Sequence, residues 1–216
     1  MTATAPGQFF DGYAADFDAI YGGKRRGVSR LLDRALRRSM LLRYQRSISG
    51  CTPIEGRTAL DVGTGPGHYA VALARRGAAR VVGVDPAPGM LKLARAHAQL
   101  AGVEDRCEFV DATLEGYAPG ERFDYVIVMG VMDYVADPRP FVELALARAK
   151  VRAFFSFPAA GGLLAALRSY RYRRRTPLFL YTRRDLDALF AAVAPSRHSI
   201  VKIARDFFVE VRAGDA

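Results

Sequence analysis

The stretch Thr58–Gly67, which reads TALDVGTGPG, decides the fold of this chain. Its first part, Thr58–Val62, is a short apolar run typical of a buried strand, and a glycine-rich turn follows it at once. A helical pattern, His68–Arg76, begins directly after the turn. A strand that leads through a glycine loop into a helix presents free backbone N–H groups and the positive end of a helix dipole to a ligand. The stretch therefore predicts an α/β fold with a ligand site at this loop.

Strand and helix patterns alternate on the C-terminal side of this loop. The alternation predicts a doubly wound, mostly parallel sheet with helices on both faces. The last two strand patterns have almost no connection between them, so they can pair only as an antiparallel hairpin. Strands are predicted over 58–62, 80–84, 107–110, 123–129, 151–157, 197–204 and 206–212, and helices over 28–48, 68–76, 88–100, 138–149 and 182–193, the last with Thr182 as its N-cap.

Length and composition indicate a single globular domain. The chain has 216 residues, of which 50% are hydrophobic, and no apolar run is long enough for a membrane helix. Its start does not read as a secretory signal, and its two cysteines lack metal-like spacing. We expect one cytoplasmic domain over 1–216 without a metal site. Within it, 1–50 would be an arm and helix that form a lid, and 158–181 an insert on the substrate side.

The positive charge is concentrated in two segments. The net charge is +10, with nine basic residues in 24–46 and seven in 168–184. Such clusters attract phosphates, anionic lipids or nucleic acid. Helix 28–48 could lie on a membrane surface as a peripheral contact; the alternative is that it packs on the sheet and turns its arginines to water. Composition leaves both interpretations open.

An acidic residue stands at or near the carboxyl end of each of the first three predicted strands. Asp61 comes two residues before the first glycine, Asp85 ends the second strand, and Asp111 follows the third. The carboxyl ends of such strands converge at one crevice, where ligands bind. Asp85 suits ribose hydroxyls, and Asp61 suits a cationic ligand and would repel a pyrophosphate. His68 stands where a nicotinamide-binding loop has its last glycine. The pattern favours a cationic nucleoside over a structural turn without ligand.

Four segments resemble the motifs of class I S-adenosylmethionine-dependent methyltransferases, over about Arg57–Phe157. The arm, 10–18, is similar to the start of ubiquinone- and menaquinone-biosynthesis-type methyltransferases, and 181–186 to the segment before the last helix of magnesium-protoporphyrin-type methyltransferases. The resemblance implies a Rossmann-like, seven-stranded fold and S-adenosylmethionine as cofactor. The four motif segments are Ala59–Gly67, Val81–Asp85, Phe109–Ala112 and Phe123–Val128.

The resemblance also implies roles for residues around the crevice. The glycine loop would contact the methionine part of the cofactor, with Asp61 near its ammonium and Asp85 on the ribose. By position, the cofactor-binding residues are Asp61, Gly63, Thr64, Gly65, Gly67, Asp85, Pro86, Met90, Asp111, Ala112, Met129, Gly130 and, from the arm, Tyr13.

Catalysis of methyl transfer depends chiefly on alignment, and a base is needed only when the acceptor must lose a proton. Many family members carry a histidine in the loop before an Asp-Pro pair, but this chain has Tyr134 there. The candidate catalytic residues are Asp133, Tyr134 and, from the arm, Tyr21. The alternative for each is a packing or capping role.

The sequence thus predicts a metal-independent methyltransferase that acts on a small molecule. Our hypothesis is an O-methyltransferase of specialised or cofactor metabolism with an anionic or lipid-like acceptor. A nucleic-acid methyltransferase is an alternative that the charge suggests, but no Asn/Asp-Pro-Pro-Tyr-like motif follows the fourth strand. A non-catalytic, methyltransferase-like interaction protein is a second alternative, which would not need the complete set of crevice acids.

Overall fold

The computed structural model describes residues 30–161, 178–194 and 197–213. These residues form five α-helices and seven strands, with a short 3-10 helix before β3. The elements are α1 (Arg30–Gly50), β1 (Thr58–Val62), α2 (His68–Arg75), β2 (Arg80–Val84), α3 (Pro88–Leu100), β3 (Cys107–Val110), β4 (Phe123–Val128), α4 (Pro138–Ala147), β5 (Ala149–Pro158), α5 (Arg183–Val193), β6 (His198–Ile203) and β7 (Asp206–Arg212).

The seven strands form one sheet in the order β3-β2-β1-β4-β5-β7-β6. The first five pair in parallel, whereas β7 pairs antiparallel with both β5 and β6. Strands β1 to β3 are added towards one edge of the sheet and β4 and β5 towards the other, so the strand order reverses between β1 and β4. The carboxyl ends of strands at such a switch point border a ligand crevice. The predicted doubly wound, mostly parallel sheet with a terminal hairpin is therefore confirmed.

Both faces of the sheet are covered, as its apolar strands require. Along β1, Leu60 and Val62 belong to the core shared with α4 and α5. Ala59, the residue before Leu60, points to the other face and belongs to the core shared with α1, α2 and α3. The alternation places helices on both faces and leaves the carboxyl edge of the strands for the site.

Helix α1 lies along β5 and runs in the opposite direction. Near its C-terminus, the Gly50 carbonyl accepts a hydrogen bond of 3.0 Å from Arg152, early in β5. Further back along the helix, Arg43 lies 3.3 Å from the hydroxyl of Ser156, late in β5. The N-terminal half of α1 therefore lies towards the carboxyl edge of the sheet.

Some predicted boundaries were wrong by one or two residues. Helix α1 ends at Gly50 rather than at 48, and glycine at this end lets the helix approach β5: a Cβ on Gly50 would lie 2.6 Å from the Phe154 ring. Helix α4 ends at Ala147 rather than at 149, because Ala149 already pairs with Phe123 in the sheet. Strand β5 extends to Pro158 because it pairs with β7 along its whole second half. The helix start predicted at 28 lies outside the described residues.

Thr182 is the N-cap of α5, as predicted, and forms a capping box with Asp185. Its hydroxyl accepts the Asp185 N–H at 3.2 Å, and its own N–H donates to the Asp185 carboxylate at 2.8 Å. A Thr182→Ala variant should lower the free energy of unfolding by about 1 kcal/mol, or about 2–4 °C in Tm. Thermal melts measure this, with Ser199→Ala on the exposed side of β6 as control. An equal Tm for the two variants would contradict the prediction.

Candidate functional site

The loop between β1 and α2 forms the first wall of the crevice. Gly63 has a φ of +66° and its missing side chain leaves room for Val131: a Cβ there would lie 2.4 Å from the Val131 methyl carbon. Gly67 has a φ of +78° and is the N-cap of α2. A Cβ on Gly67 would meet Ala94 of α3 at 2.9 Å. Glycine is thus required at both ends of the loop, for backbone conformation and for close approach.

Asp85, directly after β2, ties two backbone segments together. Its carboxylate accepts hydrogen bonds of 2.9 Å from the N–H of Gly65 and of Ala87, one on each oxygen. The pKa of Asp85 lies above its ordinary value, chiefly because the side chain is buried. The two hydrogen bonds oppose this rise, and the charge of Asp111 adds to it. Each carboxylate oxygen can accept further hydrogen bonds. Asp85 can therefore hold the glycine loop and still bind hydroxyls of a ligand.

Asp61, within β1, lies beneath the same loop. Only 1% of its surface is exposed, and its Oδ2 accepts a hydrogen bond of 2.6 Å from the Thr64 hydroxyl. Burial raises the pKa of Asp61 to about 7, against the hydrogen bond from Thr64, and the neighbouring charge of Asp85 raises it further. We call residues 61–67 and 85–87 the β1–β2 cradle. Its two carboxylates favour a cationic ligand that carries hydroxyl groups.

The raised pKa of Asp61 predicts how stability depends on pH. The pKa rises from 3.8 for an ordinary aspartate to about 7 in the folded protein, so between these values the folded state holds a proton that the unfolded state has lost. The free energy of unfolding should therefore fall as the pH rises from 4 to 7 and level off above 7. Urea titrations at a series of pH values measure this. Asp61→Asn should remove the part of the decline that comes from Asp61 and leave the part from Asp85, whose pKa burial also raises. An identical pH slope in the variant would contradict the assignment.

Three more of the predicted cofactor-binding residues, Met90, Asp111 and Ala112, lie beyond the cradle. Met90 is buried and packs with Ala87, which directly follows the exposed Pro86. Asp111 is exposed and Ala112 half-buried, just after β3. The carboxyl ends of β1, β2 and β3 thus bring Asp61, Asp85 and Asp111 to one edge of the sheet.

The end of β4 forms the other wall. Met129 is buried, and the N–H of Gly130 donates a hydrogen bond of 2.9 Å to the Ser156 hydroxyl. Arg43 donates to the same hydroxyl at 3.3 Å and lies 3.6 Å from the buried Asp206. Sequence reasoning missed Arg43, Ser156 and Asp206. Ser156 could have been found, because it is the single polar residue in the apolar run 153–158, which reads AFFSFP.

The predicted catalytic residues Asp133 and Tyr134 lie in the loop after β4. Asp133 is buried and its carbonyl accepts a hydrogen bond of 2.9 Å from the N–H of Phe179. Tyr134 is half-buried and its N–H bonds to Val131. The Tyr181 hydroxyl lies 3.3 Å from the Met132 carbonyl, so the segment after the insert holds this loop in place. The catalytic roles of Asp133 and Tyr134 stay predictions.

Several predicted features lie outside the described residues: Tyr13, Tyr21 and the rest of the arm before Arg30, and most of the insert, with its basic residues up to Arg175. Within 30–161, 178–194 and 197–213, no three His, Cys, Asp or Glu side chains are grouped so that they could hold a metal ion. In the same ranges, none of the helices has the length and apolar character needed to cross a membrane.

Comparison with known proteins agrees with this geometry. Residues 59–150 match the family model described as a methyltransferase domain. A ubiquinone biosynthesis O-methyltransferase from Methylobacterium sp. (strain 4-46) is 43% identical over 107 residues, which cover 49% of this chain and 42% of that protein. A second, from Azorhizobium caulinodans, is 45% identical over 94 residues. The chain matches only about two fifths of the length of these relatives.

Solved structures share the fold over nearly the whole chain. Magnesium protoporphyrin IX methyltransferase from Synechocystis PCC 6803, crystallised with S-adenosylhomocysteine, has a TM-score of 0.75 at 16% identity and covers 96% of this chain and 98% of its own. The DhpI complex with S-adenosylhomocysteine has a TM-score of 0.66, also at 16% identity, and covers 99% and 100%. Residues 59–150 therefore match a methyltransferase domain by sequence, and the described residues share the Rossmann-like fold of these solved structures.

Proposed function

We propose that this chain is an S-adenosylmethionine-dependent methyltransferase that methylates an oxygen atom of a small molecule. The observation that carries the proposal is the β1–β2 cradle, in which Asp61 and Asp85 flank a glycine loop inside the segment that matches a methyltransferase domain. S-adenosylmethionine supplies a methyl group on a positively charged sulfur.

The charges of the cradle fit this cofactor in both of its parts. The carboxylate of Asp61 favours the ammonium of the methionine part. The glycine backbone at Gly63 and Gly65, which lacks side chains, lets the rest of the methionine part approach the loop closely. Asp85 can accept hydrogen bonds from the ribose hydroxyls, and Asp111 lies at the next strand end for the adenine amine. In this proposal the chain binds and orients the donor, because alignment of the reacting atoms supplies most of the catalysis.

The acceptor is proposed from the relatives and from the charge of the chain. The relatives described above are named as ubiquinone and magnesium protoporphyrin methyltransferases, which act on small molecules. A net charge of +10 favours an anionic or lipid-like acceptor and permits peripheral contact with an anionic membrane. We further propose that the chain works in the cytoplasm without a metal ion, as one domain whose arm, 1–50, and insert, 158–181, face the acceptor.

Titration calorimetry with S-adenosylmethionine and S-adenosylhomocysteine tests the donor half of the proposal. We expect binding of both and none of NADH, because the carboxylate of Asp61 would repel a pyrophosphate. Absence of binding would favour the interaction-protein alternative. Methyl transfer from labelled S-adenosylmethionine to phenols and carboxylic acids tests the acceptor half, and tight, salt-steep RNA binding would instead favour the nucleic-acid alternative.

Donor binding should strengthen as the pH rises from 6 to 8. Burial raises the pKa of Asp61 to about 7, so the group is mostly neutral at pH 6 and mostly a carboxylate at pH 8. Only the carboxylate attracts the ammonium of S-adenosylhomocysteine. The Kd should fall with a midpoint near pH 7, and Asp61→Asn should bind weakly and without this dependence. A Kd that stays constant over this range would contradict the assigned role of Asp61.

A further inference from the structure

A cationic side chain from outside the matched domain reaches the β4–β5 side of the crevice. The Arg43 guanidinium, from α1, lies 3.3 Å from the Ser156 hydroxyl and 3.6 Å from the Asp206 carboxylate. A Cβ on Gly130, directly after β4, would lie 3.7 Å from the same guanidinium nitrogen. Arg43 therefore stands against the carboxyl ends of β4 and β5, the edge at which doubly wound sheets bind ligands.

The two sides of the crevice present different charged groups. The ends of β1, β2 and β3 carry Asp61, Asp85 and Asp111, which suit a cationic donor. The β4–β5 side carries the Arg43 guanidinium, with the carboxylates of Asp133 and Asp206 close to the same edge. Asp206 is sealed from solvent, with 3% of its side chain exposed, whereas 14% of the Arg43 side chain is exposed. Of this ion pair, only the cation is in reach of a ligand.

We propose that Arg43 is a positioning residue that binds an anionic oxygen of the methyl acceptor, so that the enzyme selects acidic acceptors such as phenols and carboxylic acids. This inference rests on the proposed function. It adds a residue that lies outside residues 59–150, the segment that matches a methyltransferase domain.

The two contacts that Arg43 makes with Ser156 and Asp206 are long enough to let it bind an incoming oxyanion as well. A close, charge-assisted N–H···O bond measures about 2.7–2.9 Å. The 3.3 Å to Ser156 and 3.6 Å to Asp206 are both longer, so neither contact holds the guanidinium tightly. A guanidinium presents five N–H donors in a planar fork that matches a carboxylate. Arg43 can therefore bind an acceptor oxygen and keep its neighbours.

An anionic acceptor suits the chemistry of this transfer. The acceptor releases its proton to water and binds as an oxyanion; the oxygen then forms a bond to the methyl carbon, the carbon–sulfur bond breaks, and its electron pair stays on sulfur. The positive charge on sulfur and the negative charge on the acceptor oxygen both disappear in the transfer. A site shielded from water favours such a loss of charge. The Arg43 charge stabilises the oxyanion before transfer. No histidine base is then required, in agreement with Tyr134 at that position.

Acidic probes test this inference on the protein loaded with S-adenosylhomocysteine. Calorimetric titrations of 3,4-dihydroxybenzoate, benzoate and the neutral benzyl alcohol compare wild type with Arg43→Gln, Arg43→Lys and the control Arg46→Gln. Arg46 lies on the exposed side of the same helix, near the Phe208 ring. We expect Arg43→Gln to weaken both anions about tenfold or more, Arg43→Lys to restore part of this, and Arg46→Gln to match wild type. Benzyl alcohol should not distinguish the proteins.

A double variant, Arg43→Gln with Asp206→Asn, keeps the test valid if the single variant unfolds, because it removes the buried carboxylate that would lose its partner. Equal anion affinity in wild type and these variants would overturn the inference, as would wild type that binds neither anion. Failure of wild type to bind S-adenosylhomocysteine would instead refute the proposed function. If Arg43→Gln loses anion binding and still binds S-adenosylhomocysteine, the result supports the proposed role of Arg43 in binding the acceptor.

Discussion

An Asp85→Ala variant should bind S-adenosylmethionine about 100-fold more weakly than the wild type. The variant loses the acceptor of two hydrogen bonds, from Gly65 and Ala87, each 2.9 Å long. It also loses the group proposed to bind the ribose. Hydrogen bonds to a charged group contribute about 1.5–3 kcal/mol each, and 100-fold corresponds to about 2.7 kcal/mol. Titration calorimetry at pH 8 measures the effect.

Two Asp→Asn substitutions control this prediction. Asp85→Asn keeps an acceptor for one backbone N–H and should fall between wild type and alanine. Asp124→Asn makes the same change at the opposite edge of the sheet, where Asp124 binds the N–H of Thr58 at 2.8 Å and pairs with Arg57. It should reduce stability and leave the Kd unchanged. If Asp85→Ala bound as tightly as Asp124→Asn, the cradle would not be the donor site.

Gly63→Ala should be the most damaging single-methyl change in the loop. Alanine at a φ of +66° is strained, and its methyl would lie 2.4 Å from the Val131 side chain. Left-handed backbone costs about 1–2 kcal/mol for a residue with a Cβ, and overpacking about 1–3 kcal/mol. We expect a Tm lower by about 5–15 °C and no measurable S-adenosylmethionine binding. Differential scanning fluorimetry with and without the ligand measures both.

Separate variants distinguish strain from collision at this position. Gly120→Ala places alanine at a φ of +88° with nothing within 4 Å of its Cβ, so it should show the strain alone. Gly63→Ala combined with Val131→Ala removes the methyl group that collides and should recover part of the lost Tm. If Gly63→Ala were as mild as Gly120→Ala, close approach to Val131 would not be the reason for this glycine.

The topology of the sheet could be predicted because its signals are local. Strands buried on both faces are continuous apolar runs, and helices between them leave few ways to connect parallel strands. The sequence alone therefore predicts that Asp61, Asp85 and Asp111, at the carboxyl ends of β1, β2 and β3, share one edge of the sheet. That Asp85 holds the N–H of Gly65 was not predictable, because 20 residues separate them and only the folded loop brings them together.

The β4–β5 side of the crevice was beyond sequence reasoning for the same reason. Arg43 is one of nine basic residues in its segment and meets Ser156 across 113 residues of chain. Nothing in the spacing of those basic residues marks Arg43 as a residue whose side chain reaches the crevice. The boundaries of α4 and β5 were also misplaced, because pairing between distant strands, rather than local propensity, decides where these elements end.

Two backbone hydrogen bonds join the two ends of the insert and form a short stem. The N–H of Ala160 donates to the Tyr181 carbonyl at 2.7 Å, and the N–H of Tyr181 donates to the Pro158 carbonyl at 2.9 Å. Because the two ends are joined here, chain between them can be lengthened, shortened or exchanged with little effect on the sheet, and doubling a loop costs only about 0.6 kcal/mol. The stem is thus a natural graft point, at which descendants of one ancestor could acquire new acceptors while they inherit the same donor site.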